Sequence, residues 1–260
     1  MSEEPKSHKY LEQDATPERL FVIGDIHGCV SELVLLLEYL TGELDFSDRD
    51  HLIFIGDYID RGPASKEVID VLMSFQSHHP ESVFFLKGNH EDMFLSYLGF
   101  EGNLGAGYLA NGGIACLESY GFGKGVSPEK IRENLPQNHL DFYQNLNRYI
   151  IYDRFVFVHA GLNPLRDLRF QLDEDLFWIR DEFISNMHYF KKTIVFGHTP
   201  FEDVMFHLPY KIGLDTGLVY GNMLTCLEVI GESIYQIGVG DAEVSGSSFL
   251  HKGGKWPQYG

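Results

Sequence analysis

An apolar run, Leu52-Ile53-Phe54-Ile55, ends in Gly56-Asp57-Tyr58-Ile59-Asp60-Arg61-Gly62-Pro63. Two carboxylates and a guanidinium thus follow buried-strand residues within one step, flanked by glycines and closed by a proline. Carboxylates this close at a strand end are unfavourable unless a cation neutralises them, and either Arg61 or a metal ion would do so. The pattern recurs. Leu20–Ile23 leads into Gly24-Asp25-Ile26-His27-Gly28, and Val83–Leu86 into Gly88-Asn89-His90-Glu91. Phe155–Val158 ends in His159-Ala160-Gly161, and Thr193–Phe196 in Gly197-His198-Thr199-Pro200. Carboxylate, amide and imidazole donors without thiolates suit Mn, Fe or Zn at two neighbouring positions. Two such ions, about 3.5–4 Å apart, share a bridging carboxylate and lower the pKa of a water from near 15.7 to roughly 7. An arginine beside them clamps a tetrahedral oxyanion bidentately. The chemistry that fits is metal-assisted hydrolysis of a phosphate ester.

These side chains need elements that bring them together. Cys29–Leu40 reads as a helix with Leu33, Leu36, Leu37 and Leu40 at three- and four-residue spacing. A second helix is predicted from Ser65 to Ser74 with Val68, Ile69 and Leu72 on one face, and a third runs from the Asn89 loop through Leu98. Three times an apolar strand ends in a Gly-polar loop that opens a helix, which predicts a β-loop-α array on a parallel sheet. Such sheets hold ligands outside the carboxyl ends of their strands, where all these loops lie. Glycines from Gly99 to Gly113, then Pro128 and Pro136, break a helical middle region that reaches about Asn145 and forms an excursion over one side of the site. Tyr149–Tyr152 returns to strand character. Ile212–Leu214, Met223–Val229 and Ile234–Ile237 predict a second, mainly antiparallel sheet. Residues 1–18 read as a mobile tail, 19–238 as one domain and 239–260 as a Gly/Ser-rich flexible tail.

With 260 residues the chain is long enough for a substantial core. Its net charge of −18 argues against a nucleic-acid or anionic-membrane surface, since neither has a basic stripe to meet. Three cysteines, Cys29, Cys116 and Cys226, with no Cys-x-x-Cys pair, argue against a disulfide scaffold and for a reducing, cytoplasmic setting. No apolar run approaches the roughly 20 residues of a membrane span.

Gly24-Asp25-x-His27-Gly28, Gly56-Asp57-x-x-Asp60-Arg61-Gly62, Gly88-Asn89-His90-Glu91, His159-Ala160-Gly161 and Gly197-His198-Thr199 resemble, in order, the signature of the PPP-type metallophosphoesterases. The resemblance spans about Leu20 to Ile237, and five short motifs in order are far more specific than any one. The complete Asp-x-x-Asp-Arg-Gly and Asn-His-Glu loops look like the protein serine/threonine phosphatase branch, and Asn111-Gly112-Gly113 through Ser119-Tyr120-Gly121 look like its bacterial members. The resemblance implies an α/β fold of the αββα sandwich type, with two mixed β-sheets flanked by helices and metals at the strand ends. It implies two divalent ions, Mn foremost, with Fe or Zn as alternatives. Asp25 and His27 would hold the first, Asp57 would bridge, and Asn89, His159 and His198 would complete the second. His90 would be general acid, oriented by Asp60. Arg61 would bind phosphate, and so would Arg180, which follows Trp178-Ile179 as the family's second phosphate-binding arginine does. Water attacks directly in this family, without a phosphoenzyme.

The expected substrate is therefore a phosphoprotein carrying phosphoserine or phosphothreonine, with phosphotyrosine in addition. The nearest rival is symmetric hydrolysis of dinucleoside tetraphosphates, whose branch typically lacks the acid-orienting aspartate and has Asp where this chain has Glu91. Asp60 and Glu91 accordingly point to the phosphoprotein. A metal-free scaffold that only binds phosphorylated partners would need a missing ligand, and none is missing. Each residue also has a plainer reading. Arg61 would then merely neutralise Asp57 and Asp60, Arg180 would pair with Asp181 or Glu182, and Asp215-Thr216-Gly217 would form a turn by the site. Cys29, opening a helix beside the first metal loop, is read as packing, with a lowered thiol pKa as the lesser alternative.

Overall fold

Strands with apolar residues on both faces must be covered on both faces. The computed structural model, which describes residues 10–13 and 17–257, meets that need with two six-stranded sheets stacked between helices. The strands are β1 (Tyr10–Gln13), β2 (Leu20–Ile23), β3 (His51–Phe54), β4 (Val83–Phe85), β5 (Tyr149–Tyr152), β6 (Phe155–Val158), β7 (Thr193–Phe196), β8 (Met205–His207), β9 (Lys211–Gly213), β10 (Met223–Glu228), β11 (Ser233–Gly238) and β12 (Ser245–Ser248). One sheet has the order β1-β5-β6-β7-β9-β8, the other β12-β11-β10-β2-β3-β4.

Both sheets are mixed. β2, β3 and β4 run parallel to one another, as do β6, β7 and β9. The helices α1 (Val30–Gly42), α2 (Ser65–His78) and α3 (Asn89–Tyr97) follow the three parallel strands of the first set, as the spacing predicts. Between the sheets, Val22, Ile53 and Ile55 meet Phe157, Val195 and Ile212. The alternate residues Phe21, Ile23 and Phe54 face the other way and pack with Leu33, Leu36 and Leu40 of α1. On the far side, Val156, Val158, Ile194 and Phe196 are covered by Leu176, Phe177 and Phe183. Each such fully buried side chain contributes about 1.5–3 kcal/mol over leaving it exposed, so the layering is held throughout its depth.

Three expectations are corrected. The C-terminal strands do not form a sheet of their own: β9 joins β7 in parallel, while β10 crosses back to pair antiparallel with β2. Short strands with apolar residues on both faces carry no pattern that names their neighbour, so the split between sheets was not readable. The N-terminal segment expected to be a tail contains β1, which pairs in parallel with β5 and stacks Tyr10 on Tyr149 at 5.2 Å; residues 1–9 and 14–16 lie outside the described residues. The C-terminal segment carries β12, paired with β11, and Phe249, which is buried. An edge strand of Ser-Gly-Ser-Ser is held by backbone hydrogen bonds, which leave no side-chain period to read. The middle region contains the short helices α4 (Gly113–Ser119), α5 (Pro128–Asn134) and α6 (Gln137–Gln144), and Gly112 brings it directly onto Arg61. Among the described residues no helix is long and apolar enough to cross a membrane.

Candidate metal centre

Six strand ends converge on one edge of the sandwich. Asp25, Asp57 and Asn89 follow β2, β3 and β4; His159 and His198 follow β6 and β7; Asp215 follows β9. All six side chains are buried. Two groups of donors lie close enough for one ion each, His27 with Asp57 and His90, and Asp57 with His159 and His198. Asp57 belongs to both, as a bridging carboxylate must.

The hydrogen bonds test whether cations fit. His27 Nδ1 donates to the Ile59 carbonyl at 2.8 Å, so its Nε2 carries a lone pair. That lone pair faces Asp57 Oδ2 at 3.4 Å and accepts from Arg61 Nη1 at 2.6 Å. His159 Nδ1 likewise donates to the Ile55 carbonyl at 2.8 Å. Its Nε2 lone pair therefore faces Asn89 Oδ1 at 3.0 Å and Asp57 Oδ1 at 3.4 Å. His198 Nδ1 approaches the same Asn89 oxygen at 2.9 Å. Lone pairs turned towards oxygens in a dry site are unfavourable for a protein alone and are the arrangement a divalent cation needs. The donor set fits two of them.

Burial and charge set the protonation states. Burial lowers His27 to about 3 and His198 to about 2, so both rings are neutral and offer a lone pair. For Asp57, burial is outweighed by the surrounding histidines, which hold it well below the usual carboxylate range. Asp25 is pushed up by burial and by Asp215 and Asp57, while its oxygens accept from the His198 amide at 3.1 and 3.3 Å. Asp215, raised to about 6 by burial and Asp57, is a third carboxylate of this cluster. It is more than the expected turn residue. Its signal in the sequence is its place after a sixth apolar run, Ile212–Leu214, which reads as part of a separate sheet.

His90 lies at the start of α3 with its Nε2 buried and unpartnered. Its Nδ1 donates to Asp60 Oδ2 at 2.6 Å, and Tyr108 from the middle region donates to Asp60 Oδ1 at 2.8 Å. Burial disfavours charge on His90, but Asp57 and Asp60 outweigh it and raise the pKa. Arg61 sits beside His27, holds the Gly112 carbonyl through its amide and lies 5.5 Å from the centroid of the exposed Tyr220 ring. Arg180 is exposed, makes no ion pair among the described residues and is close enough for its charge to act on His159, His198 and Asp215. The ion pair with Asp181 or Glu182 is not formed. Cys29 is raised to about 11 by burial and Glu32, which corrects the idea of an activated thiol.

Glu91 has a different task from the one its type suggested. Its carboxylate accepts from the amides of Gly88, Asp57 and Tyr58 at 2.8–2.9 Å, and from Ile59 at 3.4 Å. It ties the β4 loop to the β3 loop, with its carboxylate turned to backbone amides. The loops are also strained. Among the described residues ten non-glycine positions have positive φ, and five of them are His27, Asp57, Asp60, Arg61 and His198. Such backbone costs on the order of 1–3 kcal/mol per residue and persists where surrounding contacts over-determine it, as at functional sites.

Comparison with known proteins gives the setting. The family model described as calcineurin-like phosphoesterase matches residues 18–222. A bis(5'-nucleosyl)-tetraphosphatase PrpE (asymmetrical) from Oceanobacillus iheyensis is 27% identical over 235 residues, covering 80% of this chain and 87% of its own. A solved structure of a candidate diadenosine tetraphosphatase superposes with a TM-score of 0.66 at 21% identity, covering 89% of this chain and 98% of its own. A protein serine/threonine phosphatase from Saccharomyces cerevisiae superposes with a TM-score of 0.58 at 19% identity, covering 93% and 83%. The two structural likenesses share the αββα fold and, at such identity, say nothing of substrate. The sequence relative does bear on it. The expected phosphoprotein substrate and phosphoprotein-phosphatase activity are overturned, because the relative matching along most of its length is a dinucleoside tetraphosphatase.

Proposed function

The chain belongs to the calcineurin-like phosphoesterase family, and from that premise we propose that it hydrolyses dinucleoside tetraphosphates asymmetrically, releasing a nucleoside triphosphate and a nucleoside monophosphate. The likeness to the bis(5'-nucleosyl)-tetraphosphatase along nearly its whole length carries this reading. It differs from the rival weighed from the sequence only in which phosphoanhydride bond is cut. Glu91 no longer argues against it, since that side chain is committed to backbone amides.

In this reading Asp25 and His27 would hold one divalent ion, Asn89, His159 and His198 would hold the other, and Asp57 would serve both. Oxygen and imidazole donors suit Mn²⁺, with Fe or Zn as alternatives. When bound, the ions supply Lewis-acid neutralisation of phosphoryl oxygens and make water a nucleophile near neutral pH. Arg61 and Arg180 orient the phosphate chain so that one terminal nucleotide phosphorus meets the attacking water. His90 keeps a proton on Nε2 and delivers it to the leaving phosphate oxygen, with Asp60 holding the ring in that tautomer. No covalent enzyme intermediate is needed, and the buried thiols take no part.

The test is product analysis. Chelator-treated protein given Mn²⁺ and diadenosine tetraphosphate is expected to release ATP and AMP in equal amounts. Two molecules of ADP would reassign the bond that is cut, and intact substrate with metal bound would sink the proposal.

A further inference from the structure

At the opposite end of the β6–β7–β9 strands lies a cavity of about 530 Å³ lined by Arg154, Lys191, Lys192, Tyr189, His188 and Trp256, among others. The chain carries 38 acidic and 20 basic residues, yet no carboxylate lines this cavity, while three cations do. Its size is within the range of small-molecule sites, roughly 300–1,000 Å³. It is remote from the metal centre: Thr193 opens β7 at the cavity and His198 follows five residues later, roughly 16 Å along the strand at 3.3 Å per residue.

The cations are not used up by the fold. Arg154 lies against two aromatic rings that meet edge to face, its guanidinium carbon 4.9 Å from the Phe155 centroid and 4.8 Å from that of Trp256. That contact gives the guanidinium no acceptor. Lys192 donates to the Asp153 carbonyl, which leaves its charge uncompensated, and Lys191 has no ion pair among the described residues. Two buried ring nitrogens lack partners here, Trp256 Nε1 and His188 Nδ1. His188 Nε2 donates to the Tyr210 carbonyl at 3.0 Å, so Nδ1 is an acceptor, whereas the indole N–H is a donor. Three cations for a phosphate and the exposed ring of Tyr189 for stacking stand around one hollow, with the unpartnered Trp256 and His188 nitrogens buried in residues of its wall.

We propose that this cavity is a second ligand site, separate from the catalytic centre, which binds a small phosphorylated molecule with a planar ring, of the nucleoside monophosphate class. A basic stripe that tracks a nucleic-acid backbone would run along the surface, and here the cations line a single cavity. The inference rests on this cavity alone and survives or fails independently of the catalytic reading.

The chain has two tryptophans, Trp178 beside His198 and Trp256 in this cavity. In the full-length Trp178→Phe protein, fluorescence therefore reports Trp256. Titration with AMP is expected to change that emission saturably below about 1 mM, and inorganic phosphate to bind about tenfold or more weakly. The Lys191→Ala/Lys192→Ala double substitution, which removes one exposed and one half-buried ammonium, is expected to weaken AMP about tenfold, and Lys191→Ala alone, which breaks no hydrogen bond of the fold, to weaken it in the same direction with an unchanged thermal midpoint. In the Trp256→Phe protein, whose remaining tryptophan is Trp178, the emission change assigned to Trp256 is expected to vanish. A flat titration, or AMP binding that ignores the lysine substitutions, overturns the site. Phosphate binding as tight as AMP overturns the planar-ring class.

Discussion

Asp60 grips His90 through a 2.6 Å hydrogen bond from Nδ1, and both side chains are shut away from water. Tyr108 holds the other oxygen of the same carboxylate at 2.8 Å, so the imidazole is aimed by a chain that begins in the middle region. His90→Asn is expected to lower kcat about 10²–10⁴-fold, the range of general acid catalysis. The loss should be larger on phenyl phosphate, whose leaving group has a pKa of about 10, than on p-nitrophenyl phosphate. Equal losses on both would remove His90 from the acid role. Asp60→Asn withdraws a charge that raises the His90 pKa, so the alkaline limb of the kcat profile should move to lower pH. Tyr108→Phe should cost less, on the order of 1 kcal/mol.

Asp215 shares a dry cluster with Asp25 and Asp57, and each raises the energy of the others' charged forms. In chelator-treated protein, Asp215→Asn is expected to raise the thermal midpoint by about 2–4 °C, corresponding to about 1 kcal/mol. The amide oxygen keeps the hydrogen bond that Asp215 accepts from the Gly217 amide at 2.9 Å, so no contact is sacrificed. Added Mn²⁺ should stabilise the wild type more than the variant. Scanning calorimetry with and without metal decides it, and a midpoint lowered without metal would refute the electrostatic account.

Glu91 joins two loops through four amides. Glu91→Ala leaves those amides buried and unpaired, with a loss of stability on the order of 3 kcal/mol or more and a weaker hold on metal. Glu91→Asp, too short to span the same amides, should lower the denaturation midpoint while leaving the products of diadenosine tetraphosphate hydrolysis unchanged. A changed product pattern would mean that position 91 reads substrate after all.

Three histidines away from the centre, His51, His139 and His188, are buried, and burial lowers the pKa of each below 6.5. The folded state then binds fewer protons than the unfolded state below that pH, so stability falls as pH drops from 6.5 towards the folded pKa values. Each contributes a slope of up to about 1.4 kcal/mol per pH unit in that window. Denaturant midpoints between pH 7 and 5 should decline, and His51→Gln should flatten the decline. A profile flat across this range in wild-type protein would contradict it.

That the six candidate donors meet at one edge was legible because strand ends are legible: a run such as Thr193–Phe196 stopping at Gly197-His198 shows both the strand and its carboxyl end. The two-sheet architecture followed from the motif order. What remained hidden depends on direction or partnership. Residue type told that Glu91 is acidic but not that it turns inward to amides. Asp215 follows a three-residue strand, too short to announce that it runs parallel to β7. The left-handed backbone of Asp57, Asp60 and Arg61 is imposed by tertiary contacts on residues that do not choose it, which no propensity records.

The return of β10 to β2 has a consequence for how the protein comes into being. The inner edge of the β2-β3-β4 ribbon stays unpaired until residues 223–228 have been made, although its own strands end at Phe85. The donors are divided likewise: those on β2, β3 and β4 wait for His159 and His198 from the other sheet. A nascent chain therefore exposes an open ribbon and an incomplete ligand set through most of its synthesis, a high-contact-order route that folds slowly. A chain cut short just before β10 would already carry every candidate donor, yet leave the β2 edge of the ribbon without its partner strand.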